Sequence, residues 1–142
     1  MNTKLVPKLF VSPMMCQLLN GKGITSEVPF WYHIYDDGRH FVVSDEFDYM
    51  GLYTQKIVDV PGVHTEYKRV PAYTLADMLA LMPDYELSKE GNMHQVQCHG
   101  HDGYGVSGVH KSYTEAAAIC VKKMIDDGKL SAEVINLKLK QL

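Results

Sequence analysis

The stretch PFWYHIYDDGRHFVVS, residues 29–44, constrains this chain more than any other. Two runs of aromatic and β-branched residues flank Asp37-Gly38, a dipeptide that tolerates the positive φ angles of a type I′ turn, so the segment reads as a β-hairpin. A two-residue turn there pairs Ile34 with Phe41 and Tyr32 with Val43 and builds one strongly apolar face. The other face then carries Trp31, His33, Tyr35, His40 and Val42. Such a belt either packs beneath a helix or lines a shallow binding surface, and in a chain of this size burial is the commoner outcome. Trp31, His33, Tyr35 and His40 are the candidate binding residues, since aromatic side chains anchor protein contacts.

A second hairpin is written in CHGHDGYGVSGVH, residues 98–110, which also holds the densest set of ligand-type side chains in the sequence. If Asp102-Gly103 is a two-residue turn, His101 opposes Tyr104, His99 opposes Val106 and Val96 opposes Val109. Only His99 and His101 then share a face at short range, because adjacent strand residues point to opposite sides. A metal-dependent hydrolase would need these two histidines and a carboxylate such as Asp102, with His64 or Asp84 as further donors. Two histidines do not complete a zinc site, and H-E-x-x-H and C-x-x-C are absent, so the reading preferred is a glycine-rich turn with exposed imidazoles and no cofactor. Ser107 in GVSGV lacks the spacing of a nucleophile elbow, and the carboxylates Asp45, Glu46 and Asp48 read as an acidic loop.

Helices are expected to cover these hairpins. Ser12-Pro13 is a cap-and-start pair for a helix over 13–20 with Gly21 as its stop. Thr74 and Asp77 start a second over 75–82, which Pro83 closes. Ser112 and Glu115 form a capping box for the third, over 113–127, whose stripe of Tyr113, Ala117, Cys120, Val121 and Met124 faces the sheet. Ser131 caps a final helical segment. Tyr85–Leu87, His94–His99 and Tyr104–Val109 read as strands, and residues 53–60 as another. Each half runs helix then Asp-Gly hairpin, a faint hint of duplication.

At 142 residues the chain is long enough for one domain with its own core, spanning 1–142, and needs no staple. Its 46% hydrophobic and 22% charged residues are those of a globular protein, and no apolar run approaches a membrane span. A net charge of −3 supplies no field for phosphates, which argues against nucleic acid as a partner. Three cysteines, Cys16, Cys98 and Cys120, fit free thiols in a reducing cytoplasm.

Three stretches, SPMMCQLLNGKGI leading into FWYHIY, VPAYTLADMLALMP, and YTEAAAICVKKMIDDGKL, resemble small proteins borne by bacterial prophages and mobile elements and are similar to phage α/β/α sandwich domains. The resemblance implies a fold and a genomic setting and carries no active-site residue. The expected architecture is α+β, a mainly antiparallel sheet of four to six strands in two hairpins covered by about three helices. The expected role is that of a non-enzymatic accessory protein that binds a host or phage protein, because no complete catalytic constellation is present.

Overall fold

The computed structural model describes residues 9–25, 28–44, 67–100 and 103–141. In chain order these form α1 (Pro13–Gly21), β1 (Phe30–Tyr35), β2 (His40–Ser44), β3 (Tyr67–Pro71), α2 (Leu75–Ala80), β4 (Tyr85–Glu90), β5 (Met93–His99), β6 (Gly105–His110), α3 (Tyr113–Asp126) and α4 (Ala132–Lys140). The class is α+β, as expected. The six strands do not make one sheet, however: they divide into two antiparallel sheets ordered β2-β1-β3 and β4-β5-β6. The predicted strand over 53–60 lies outside the described residues, as do Asp45, Glu46, Asp48 and His64. β3 was not anticipated, because YKRVP has no alternation and ends in a proline.

Each helix begins where a side chain can satisfy its first free N–H groups. Ser12 Oγ accepts from the Met15 N–H, and Thr74 with Asp77 completes a reciprocal capping box. The box expected at α3 is only half present. Ser112 Oγ accepts from the Glu115 N–H at 3.2 Å, but the Glu115 carboxylate turns away to accept from the Ser12 N–H at 2.9 Å and the Ser12 hydroxyl at 2.7 Å. Glu115 thus ties the first turn of α3 to the N-cap of α1. α1 itself runs through Gly21, and the chain reverses at Gly23, where the Ile24 N–H reaches the Leu19 carbonyl.

Both Asp-Gly hairpins have a register one residue away from the expected one. The Tyr35 N–H donates to the Arg39 carbonyl at 2.8 Å, so the first loop has three residues, Asp36-Asp37-Gly38, with Gly38 at φ 89°. This is the three-residue connection in which the last position is left-handed. Asp37 stabilises it by accepting from the Arg39 N–H and Nε, which holds its carboxyl below the usual carboxylate range. Observed partners are therefore Tyr32 with Val42 and His33 with Phe41. In the second hairpin the Gly100 N–H reaches the Tyr104 carbonyl and Gly103 has φ 77°, so Val96 faces Gly108 and Cys98 faces Val106. The hairpin with a two-residue turn is a third one, at Gly91-Asn92 between β4 and β5.

Helices separate the two sheets. α1 packs on β3 and on α3, while α3 packs on β5, β6 and α2. One continuous apolar core runs from Tyr32, Val42 and Val70 of the first sheet through Cys16 and Leu19 to Ala116, Cys120, Val96 and Cys98. Because α3 is enclosed on more than one side, its buried set is wider than a single stripe and adds Thr114, Ala116 and Ala118. The closest approach is at Gly108, where an added Cβ would run into the Ala116 carbonyl oxygen. The two halves are not copies of one topology, since the middle strand is the first of three in one sheet and the second in the other.

Candidate functional site

Strand alternation sends Tyr32 of β1, Val42 of β2 and Val70 of β3 into the core, and so turns Trp31, His33 and Tyr35 to the opposite face. Three of the four predicted binding residues therefore share a face. His40 does not join them. The one-residue change of register moves every β2 side chain to the other side, so His40 shares the face of Tyr32, stays exposed and meets the Tyr32 ring edge-on at 6.0 Å, and Phe41 and Val43 take its place.

β3 supplies what the sequence did not reveal. Its pairing with β1 sets Arg69 opposite His33 and Tyr67 opposite Tyr35. The His33 ring stacks on Tyr67 with centroids 4.3 Å apart, Tyr67 lies 5.6 Å from Tyr35, and Tyr35 meets Phe41 edge-on at 5.9 Å. The Arg69 guanidinium stands 4.3 Å over the Trp31 ring and that of Arg39 stands 5.4 Å from the Tyr35 ring. The result is a run of aromatic rings and two cations across three strands. Its depth is graded: Tyr35 is 3% exposed and Val43 is buried, although neither belongs to the main core, while Tyr67 is 49% exposed. No signal short of the β3 pairing could have found Tyr67 and Arg69, since a ladder partner 32 or more residues away leaves no local periodicity.

Of the alternative metal site only His99 and Asp84 fall among the described residues. His99 lies on the outer face of β5 with its Nε2 3.8 Å from Glu86 Oε2, and both side chains are exposed. His101 and Asp102 lie outside the described residues. Among the described residues no group of three His, Cys, Asp or Glu side chains converges on a common point. Asp84 is near this end of the sheet, but its carbonyl, not its carboxylate, engages His99. Ser107 stands within β6, in extended backbone.

The thiols are placed for packing. Burial pushes the Cys16 thiol up to about 12 and that of Cys120 up to about 11, and it raises Cys98 as well. The thiolate is the nucleophilic form, so none of the three is activated. Cys16 instead donates weakly to the Val11 carbonyl, which also accepts from the Tyr32 hydroxyl at 2.6 Å. Among the described residues no helix is long and apolar enough to cross a membrane. Comparison of the chain with protein-family models, with curated proteins and with solved structures finds no match.

Proposed function

We propose that the chain is a non-enzymatic accessory module that binds another protein through the outer face of its first sheet. The observation that carries this reading is the cluster of Trp31, His33, Tyr67 and Arg69, in which a half-exposed tyrosine and two stacked pairs stand on a sheet face away from the core. Trp, Tyr and Arg are the residues that supply most binding energy at protein interfaces, and here they are ordered by mutual stacking before any partner arrives. Arginine over tryptophan also keeps a cation on an apolar surface at small desolvation cost. A host or phage protein is the partner that the resemblance of the three stretches suggests.

A photo-cross-linking amino acid at position 67 tests the reading. It should capture one defined protein from the native cell, the same protein that co-purifies with the unmodified chain, and Arg69→Ala should abolish that capture while leaving the melting temperature unchanged. Capture that survives Arg69→Ala, or that moves to a probe on the opposite sheet at Gln97, would overturn it.

A further inference from the structure

We infer that the chain pairs with a second copy of itself through the free edge of β4, forming a continuous six-stranded sheet about a two-fold axis. This surface is distinct from the aromatic face, and the inference stands without the function proposed above.

The hydrogen-bond phase of β4 can be read from one contact. The His99 N–H reaches the Asp84 carbonyl at 2.9 Å, so Asp84 and, by alternation, Glu86, Ser88 and Glu90 spend their backbone groups on β5. Tyr85, Leu87 and Lys89 consequently direct both N–H and C=O away from the sheet. All six residues of the strand are exposed, and among the described residues no element beyond β5 pairs with it. The other edge of the same sheet is blunted differently. On β6 the outward-facing residue Ser107 has its carbonyl covered by Lys123 Nζ at 2.7 Å. An uncovered edge is a template for another strand.

Which strand fits is decided by symmetry and side chains. Two copies related by a two-fold axis perpendicular to the sheet must pair antiparallel with one residue opposite itself. Centring the axis on Leu87 sets Leu87 against Leu87 and Tyr85 against Lys89 in both directions, which uses all three outward-facing residues and forms about six backbone hydrogen bonds. Centring it on Ser88 sets Glu86 against Glu90 and leaves Tyr85 against the Gly91 turn. Centring it on Glu86 opposes two carboxylates and loses Lys89.

Only the Leu87 register joins apolar to apolar and a cation to an aromatic ring. Tyr85 and Leu87 are 41% and 44% exposed in the single chain, on the side of the sheet that α3 covers over β5 and β6 but not over β4. Pairing covers both. At the ends, Asp84 would face Glu90 of the other copy, so the association should strengthen with salt.

One short strand per copy makes a small interface, and a concentration-dependent dimer is expected rather than an obligate one. Sedimentation velocity from about 10 μM to 1 mM should show monomer passing into dimer, weakened about tenfold or more by Leu87→Pro and by Leu87→Lys. The proline removes an outward N–H and no bond to β5. If that variant fails to fold, the exposed lysine substitution decides. Oxidative cross-linking should join chains carrying Leu87→Cys and not those carrying Ser88→Cys, whose side chain points to the other face. A chain that stays monomeric at 1 mM, a dimer indifferent to both Leu87 substitutions, or cross-linking through Ser88→Cys instead would overturn the inference.

Discussion

The face turned away from the core carries Trp31, His33, Tyr35, Phe41, Val43, Tyr67 and Arg69 on the first sheet, but Glu86, Ser88, Glu90, Met93, Gln95, Gln97, His99, Ser107 and Val109 on the second. Both sheets are three-stranded and antiparallel, and both rest an apolar inner face on the same layer of helices. The outer face of the second is mainly polar and solvated, with the exposed Met93 and Val109 among its polar residues, as in a sheet with one wet side. The first carries aromatic and aliphatic side chains on both sides, with His33 and Arg69 among them on the outer one. A sheet face that keeps Tyr35 and Val43 buried outside the main core has a second packing role, and the rings around them form the surface proposed to meet a partner.

The contrast can be broken most severely in the second sheet. Gly108→Ala should cost about 3 kcal/mol or more, or prevent folding, because its Cβ would strike backbone that cannot turn aside. Gly105→Ala, whose Cβ would lie an ordinary 3.9 Å from the Cys98 carbonyl oxygen, should fold normally. Chemical denaturation of the two variants compares them directly, and equal stability would place α3 elsewhere.

The next largest effect separates the outer faces themselves. Tyr35→Ala removes a side chain that is buried away from the main core and should cost about 3 kcal/mol, whereas Gln97→Ala on the second sheet should stay within about 0.5 kcal/mol of the unmodified chain. Similar melting temperatures for both would erase the distinction between a packed and a solvated outer face.

Alkaline pH loads the helices between the two sheets through their thiols. Cys16 and Cys120 are held protonated in the fold to about 12 and about 11, against an ordinary value of 9.0. Between pH 9 and 11 the unfolded chain releases thiol protons that the folded chain keeps. Stability is therefore complete below pH 9 and should fall above it by about 1.4 kcal/mol per pH unit for each thiol. Urea midpoints measured at pH 8, 9 and 10 check the sign, and substituting Cys16 and Cys120 by alanine should flatten the slope even as it lowers the midpoint.

The smallest effect probes what the sheets share. Gly38→Val and Gly103→Val each force a β-branched residue to positive φ and should cost about 1 kcal/mol, with nearly equal values in the two hairpins. Thermal melts of the pair test whether the loops are alike. A large difference would mean that one of them carries a tertiary constraint that the other lacks.

Local chemistry made much of the fold legible. Ser12, Thr74, Ser112 and Ser131 each cap a helix within three residues of themselves, and Asp-Gly marks both predicted hairpins, because caps and turns depend on neighbours along the chain. The candidate site was half legible for the same reason. Trp31, His33 and Tyr35 share a face by the two-residue period of one strand, whereas His40 depends on register, and Tyr67 and Arg69 on a partner strand far along the chain.

What the sequence by itself determined is therefore where the helices start, that the two Asp-Gly segments form hairpins, and which residues of a single strand lie together, but not β3 or the hairpin at Gly91-Asn92. Register was decided only by the tertiary structure. Asp-Gly serves equally as a whole two-residue turn or as the last two positions of a three-residue loop, and the choice depends on what must fit beneath the helices. In the second hairpin the shorter loop would set Val109 against Val96 on the inner face, and the longer one sets Gly108 there. α3 can bring Ala116 against the sheet only over a residue without a side chain, so close packing selects the register that local sequence leaves open.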